Sequence, residues 1–309
     1  MLPLIIIVVS GGYVILSTAE NQLIGPLLKS SANQVNNPLR RVVENSLADS
    51  KGIYGIAIKH LNTEKGYFLN EHRVFETGSL YKLWVMAAVY KQIQDGLLTE
   101  DEVLSQDVAA LNQEFNIDPE SAELTDGIVT FTVHDALKQM ITISHNYAAL
   151  LLTEKIKLSS VANFLKVNGF TESSVGVDGD APKSTASDIA LFYEKLYKRE
   201  LANAQYTQEM IDLLKGQQLD EGLPKYLPDQ LPVANKTGDM GWFKHDAGIV
   251  YYGATKLANS PGGEAAPLVS PVNQEAYIIV VMSESESPLG AQERIAIISK
   301  AVFDYFSKK

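Results

Sequence analysis

Apolar positions along the chain follow two periods, and their alternation lays out the elements. Behind Pro38, a residue suited to a helix's first turn, Leu39, Val42, Val43 and Leu47 keep helical spacing. Ile53 to Leu61 alternates instead, Asn62 to Gly66 holds turn residues, and Tyr67-Phe68-Leu69 returns, which predicts a β-hairpin. From Leu80 the helical period resumes through Leu83, Ala87 and Tyr90 and runs unbroken to Gly96, so a mostly buried helix is expected there. Residues 97–131 are acidic and show little period.

Thr132-Val133-His134-Asp135 has the form of a capped helix start, with Val133, Leu137, Met140 and Ile141 as its apolar stripe. That helix is expected to stop at Ser144-His145-Asn146, and Tyr147 to Leu152 to begin another. Short helices are predicted over Val161–Val167, Ala186–Tyr197 behind a cap at Ser184 or Thr185, and Thr207–Lys215. Pro232 to Gly238 has the character of an edge strand, Ala247–Tyr252 and Tyr277–Met282 of strong strands, and Ala291–Phe306 of a closing helix. Strands near both ends with helices between them imply an α+β fold: one antiparallel sheet assembled from the terminal segments, flanked by helices, with a helical subdomain of roughly residues 80–215 inserted.

Composition narrows the function. In 309 residues there are 26 Lys and Arg against 37 Asp and Glu, a net charge of -11, which argues against nucleic acid or an anionic membrane surface as partner. Cysteine is absent, so thiol catalysis, disulfides and thiolate metal sites are excluded. The five His contain no H-x-x-x-H pair, and neither a metal nor a cofactor is expected. Residues 1–19 carry no charged side chain and include Leu4 to Val9, which reads as an export signal or a membrane anchor, with cleavage after Ser17-Thr18-Ala19 left open. Residues 20–37 are polar and Asn-rich and read as a tether to a domain spanning 38–309.

One stretch carries candidate chemistry. Ser79 stands where a small polar turn enters the apolar helix, and Lys82, three residues on, falls on the same face. A serine hydroxyl attacks a carbonyl only with a base in reach, and a desolvated lysine amine is one such base. The helix amino terminus would receive negative charge developing on a substrate oxygen. Alone, this spacing equally describes a capping serine and a solvated lysine. Likewise Ser144-His145-Asn146 at a helix junction reads as a cap cluster, and Lys236-Thr237-Gly238 as a strand-end turn. Their joint occurrence in this order, on these elements, favours a catalytic set.

S-x-x-K, S-x-N and K-T-G in this order resemble the penicillin-recognising serine hydrolases, and most closely their class A β-lactamase-like branch, from about Pro38 to the C-terminus. The resemblance implies that Ser79 is acylated, with Lys82 as its base, and that Ser144 relays the proton to the leaving nitrogen. It assigns Asn146 to the substrate's acylamide, Lys236 to the local field, and Lys236, Thr237 and Gly238 to the substrate carboxylate. The backbone N–H groups of Ser79 and Asp239 would form the oxyanion hole. The implied substrates are β-lactams or the D-alanyl stem peptides of peptidoglycan. The implied location is outside the cytoplasmic membrane, with any membrane contact confined to the N-terminal segment and the protein a monomer.

Three departures from the family pattern stand out. His145 replaces the usual aspartate and is expected to be structural rather than catalytic. Trp242-Phe243-Lys244-His245 follows the third motif, and Lys244 or His245 either contacts a carboxylate or lies on a strand surface. The Glu-x-x-x-Asn of the class A loop is missing from the short stretch between Gly169 and Gly179. The acids nearby are Glu172, Asp178 and Asp180; Asp180, preceded by Gly179, resembles the loop's structural Gly-Asp pair, which leaves Glu172 as the better candidate to activate the deacylating water. Within the resemblance, a β-lactamase, a D,D-carboxypeptidase or slowly deacylating penicillin-binding protein, and an idle cell-wall binding module remain open. Intact motifs weigh against the last.

Overall fold

Glu275–Glu284 forms the strand around which the molecule is laid out: Ile278, Val280 and Met282 enter one apolar cluster, while Tyr277, Ile279 and Val281 enter another. A strand buried on both faces reads as a continuous apolar run, and that is why the sequence here lacks alternation. The structure is a computed structural model and describes residues 37–63, 65–176, 180–253 and 275–308. The expectations for residues 1–36, for Asp178 and Gly179, and for the segment 254–274 lie outside these.

In chain order the elements begin with α1 (Pro38–Leu47), β1 (Ile53–His60), β2 (Gly66–Leu69) and β3 (Phe75–Glu76). A 3-10 turn over Gly78–Tyr81 then leads into α2 (Lys82–Gln94). Next come β4 (Val103–Asp107), α3 (Val108–Glu114), β5 (Ile128–Thr132), α4 (Val133–Thr142), α5 (Asn146–Ile156) and α6 (Leu158–Val167). After β6 (Lys183–Ser184) follow α7 (Ala186–Tyr197), α8 (Ala204–Lys215), β7 (Val233–Met240), β8 (Phe243–Tyr252), β9 (Glu275–Glu284) and α9 (Pro288–Ser307).

The main sheet has the order β2-β1-β9-β8-β7, every neighbouring pair antiparallel, so the first hairpin and the last strands meet at its centre. The expected α+β fold is the observed one. Helices α1 and α9 cover one face, where Leu39, Val43, Ile295 and Val302 pack on Ile56, Ile58 and Val250. The other face lies against the helical layer, in which α2 is buried on every side from Lys82 to Tyr90. Asn37, placed in the tether by its composition, is the N-cap of α1: its side chain accepts from Leu39 N–H and donates to Gly66 O.

Residues 97–131 hold more structure than their pattern indicated. Val103–Asp107 pairs with Ile128–Thr132 in a small antiparallel ribbon, with α3 between the two strands. Only Leu104 and Val129 of that ribbon are buried, and a period of two cannot be read from one inward residue per strand. No helix among the described residues is long and apolar enough to cross a membrane.

Candidate active site

The 3-10 turn that carries Ser79 packs against β7, β8 and the start of α2. The residue sits in the 3-10 turn, half-buried, with the backbone N–H of Lys82 bonded back to the carbonyls of Ser79 and Leu80. Gly78 precedes it at φ +47, and a Cβ there would come within 3.0 Å of the Asp239 nitrogen. Glycine therefore both permits the left-handed backbone and lets the end of β7 lie against the nucleophile turn. Gly238 is needed for the same approach, since a Cβ on it would stand 2.5 Å from Thr77 O. Ser79 and Asp239, whose N–H groups were assigned to an oxyanion hole, are thus carried on two segments packed together.

Lys82 is fully buried at the start of α2. Its Nζ donates to Ser144 O at 2.6 Å and to Asn146 Oδ1 at 2.6 Å, and lies 3.2 Å from Ser144 Oγ. A neutral amine has two N–H groups, and two carbonyl-type acceptors use both, which leaves its lone pair toward the Ser144 hydroxyl. Ser144 holds φ at +61, a strained value for a residue with a side chain, in the short link between α4 and α5. On the other side Lys236, also fully buried, donates to Ser144 Oγ at 2.9 Å and to Thr237 O at 2.9 Å. The Ser144 hydroxyl therefore lies between two lysine nitrogens.

Burial first, and then the charge of Lys236, pushes Lys82 down to about 6, with Glu123 opposing. Burial also pushes Lys236 down, to about 7, and Asp246 opposes it. Repulsion between two cations acts equally on both, so the one with the better counter-charge keeps its proton. Asp246 acts on Lys236 and Glu123 on Lys82, while repulsion from Lys236 adds to burial at Lys82, so Lys82 is the amine more readily deprotonated. Asp246 is itself fully buried and raised to about 7 by that burial, while bonds from Asn235 Nδ2 at 2.8 Å and Leu223 N–H at 2.7 Å favour its charged form. A cavity of about 240 Å³ opens beside Thr237 and Gly238, walled by Asp239, Lys244, Asp246 and Gln292.

The three sequence departures have plain structural settings. His145 caps α5, its Nδ1 accepting from Ala148 N–H at 3.2 Å, and burial lowers its pKa, so the imidazole acts as a neutral acceptor. His245 is neither a carboxylate contact nor a surface residue. It is fully buried, lowered to about 4 by burial, with Nδ1 accepting from Ser283 N–H at 3.0 Å. Its Nε2 must then carry the proton and donate to Glu76 O at 2.7 Å, which ties the segment before Ser79 to β8 and β9. Lys244 pairs with Asp239.

Glu172 sits beside Thr185 and His72. Its carboxylate accepts from Thr185 Oγ1 at 2.7 Å and sits 2.9 Å from His72 Nδ1. Burial alone would raise its pKa, but these two partners hold it below the usual carboxylate value. Its bonded partners include none of Ser79, Lys82 and Ser144 among the described residues. Asp180 lies outward and is near Lys183. Sequence reasoning missed Glu123, whose Oε1 accepts from Asn146 Nδ2 at 2.6 Å. It lies in the aperiodic stretch between α3 and β5, where no pattern marks a residue for contact.

Residues 38–259 match the model of the Beta-lactamase enzyme family. The chain belongs to this family. It is a serine hydrolase of β-lactamase type. Among solved structures similar to this family member is PBP-A, with 20% identity and a TM-score of 0.70 over 88% of this chain and 96% of that one. A β-lactamase from Sphaerobacter thermophilus shares 21% identity at a TM-score of 0.69, covering 86% and 96% of the two chains. A class A β-lactamase from Bacteroides cellulosilyticus shares 21% at 0.68, covering 88% and 98%. These likenesses concern the fold. No curated protein matches the sequence.

Proposed function

We propose that this β-lactamase family member opens β-lactams and cleaves D-alanyl peptide amides through an acyl-enzyme on Ser79, and that it releases the acyl group slowly, as a penicillin-binding D,D-peptidase does. The observation that carries the reading is the buried Lys82–Ser144–Lys236 network at the end of the nucleophile's turn, where burial and the charge of Lys236 lower the pKa of Lys82.

In this reading, neutral Lys82 takes the proton of Ser79 Oγ as that oxygen bonds to the substrate carbonyl carbon. The N–H groups of Ser79 and Asp239 stabilise the resulting oxyanion. As the tetrahedral intermediate collapses, the carbon–nitrogen bond breaks and the nitrogen receives a proton from Ser144, which is replenished from the ammonium of Lys82. Lys236 keeps a positive potential beside Ser144 and, with Thr237, holds the substrate carboxylate. An ester on Ser79 remains. Hydrolysis needs a base to draw a proton from water as it attacks that ester, and the bonding of Glu172 to His72 and Thr185 supports slow release. The apolar, uncharged residues 1–19 and the target chemistry favour action outside the cytoplasmic membrane.

The test is intact-protein mass after brief mixing with a penicillin, alongside turnover of a chromogenic cephalosporin, for wild type and Ser79→Ala. A wild-type adduct that persists for many minutes, absent from the variant, is expected. Rapid turnover without accumulation would overturn the slow release. Absence of an adduct with every β-lactam and D-alanyl thioester tried would overturn the reading as a whole.

A further inference from the structure

Asn146 is held from both ends by groups that leave its amide one orientation. Its Oδ1 can only accept and faces Lys82 Nζ at 2.6 Å; its Nδ2 can only donate and faces Glu123 Oε1 at 2.6 Å. A chain of carboxylate, amide and amine therefore runs from the exposed Glu123 to the buried Lys82. Glu123 is exposed, but the backbone beside it is held. The next residue, Leu124, is fastened by its backbone: its N–H donates to the Tyr147 hydroxyl at 3.1 Å, and its carbonyl accepts from Asn112 Nδ2 at 2.8 Å. The one proton of the Tyr147 hydroxyl has two acceptors in reach, Leu124 O at 2.7 Å and Asn112 Oδ1 at 2.9 Å. Tyr147 is buried and directly follows Asn146 at the start of α5, so one helix end carries both the amide to be held and the clamp that fixes its holder.

We propose that Glu123 is a positioning residue of the acylation machinery, which holds the Asn146 amide so that its oxygen anchors Lys82 and its second N–H points to the substrate. This rests on the acyl-enzyme reading above. Glu123 also supplies negative charge near Lys82 and acts against the combined lowering by burial and by Lys236. The other groups facing Lys82 are Lys236 from β7, with Asp246 behind it, and His145 from the α4–α5 link, neutral in its capping role. Glu123 is the acid whose removal changes both the geometry and the field at Lys82.

Three variants separate these effects. Glu123→Gln keeps an oxygen to accept from Asn146 but loses the charge. With less support for the ammonium, Lys82 becomes neutral at lower pH. The acid limb of the acylation rate against pH should then move down by about half a unit, with the plateau within about twofold of wild type. Glu123→Ala loses the oxygen as well, and the plateau should fall by about 5- to 20-fold, more for penicillins with an acylamide side chain than for the bare β-lactam nucleus. Tyr147→Phe frees the loop without touching the carboxylate and should reproduce part of the plateau loss with a smaller shift of the limb.

The measurement is the second-order acylation rate by quenched intact mass, from about pH 5 to 9, with a melting curve for each variant. Fold damage alone would lower the rate equally at every pH and leave the limb in place. An unmoved limb in Glu123→Gln, together with a wild-type plateau in Glu123→Ala, would overturn the proposal while leaving the acyl-enzyme reading intact. A wild type that forms no adduct would instead bring down the reading itself.

Discussion

On one side of Ser79, Lys82, Ser144 and Lys236 are joined by contacts of 2.6–3.2 Å, with both lysines buried. On the other, where the chain passes through residues 170–176 and 180–184, the candidate acid Glu172 has a side chain 34% exposed and bonds to His72 and Thr185. The first region desolvates its lysines, strains Ser144 and supports its charges from behind with Asp246. The second satisfies its acid as an ordinary structural carboxylate beside a helix cap. In the proposed reading acylation and hydrolysis draw on different groups, so one fold is prepared for the first and not for the second.

Replacing Ser79 breaks the comparison most severely. Ser79→Ala should abolish covalent adducts, a loss of at least about 10⁴-fold in acylation, read by intact mass. Lys82→Ala should cost about 10³-fold. In wild type the acylation rate should climb as pH rises through about 6, where Lys82 passes from ammonium to neutral amine, and Lys82→Ala should lose that limb. Stopped-flow or quenched acylation across pH checks both.

Gly78→Ala sharpens the geometric side of the comparison. Its Cβ would come within 3.0 Å of Asp239 N at a backbone φ of +47, so β7 must yield or the turn must shift. Acylation should fall by about 10- to 100-fold, and stability by about 1–2 kcal/mol, with denaturant unfolding as the second readout. The smallest effect belongs to the second region. Glu172→Gln should leave release of a penicilloyl group within about twofold of wild type, whereas a true base would slow it by about 100-fold or more. The same variant should melt slightly earlier, since Thr185 and His72 lose a charged partner.

Much of the fold was legible because its long elements carry clean periods. The stripe from Leu39 to Leu47, the apolar run of β9 and the cap at Thr132 each state their element locally, and Thr132 Oγ indeed accepts from Asp135 N–H. The β4–β5 ribbon was not legible, since one buried residue per strand makes no pattern. The roles of Trp242 to His245 were not legible either. His245 falls three residues after the β7–β8 turn, where sequence cannot say whether a side chain meets solvent or the segment preceding the 3-10 turn. Glu123 and Asp246 are ordinary acids in sequence and gain meaning only from the amide and the lysine opposite them.

Order and residue type, by themselves, determined the family pattern: a serine entering an apolar helix, a second serine at a helix junction, a lysine on a strand, and no cysteine for other chemistry. Those are local or sequential properties, written in spacing and side-chain chemistry. The tertiary structure alone decided which charges face each other. Burial and Lys236 together lower the pKa of Lys82. Glu172 is taken by His72 and Thr185, and Asn146 is turned by Glu123. Such outcomes depend on distances between residues far apart in sequence, and on the desolvation that only a closed core imposes.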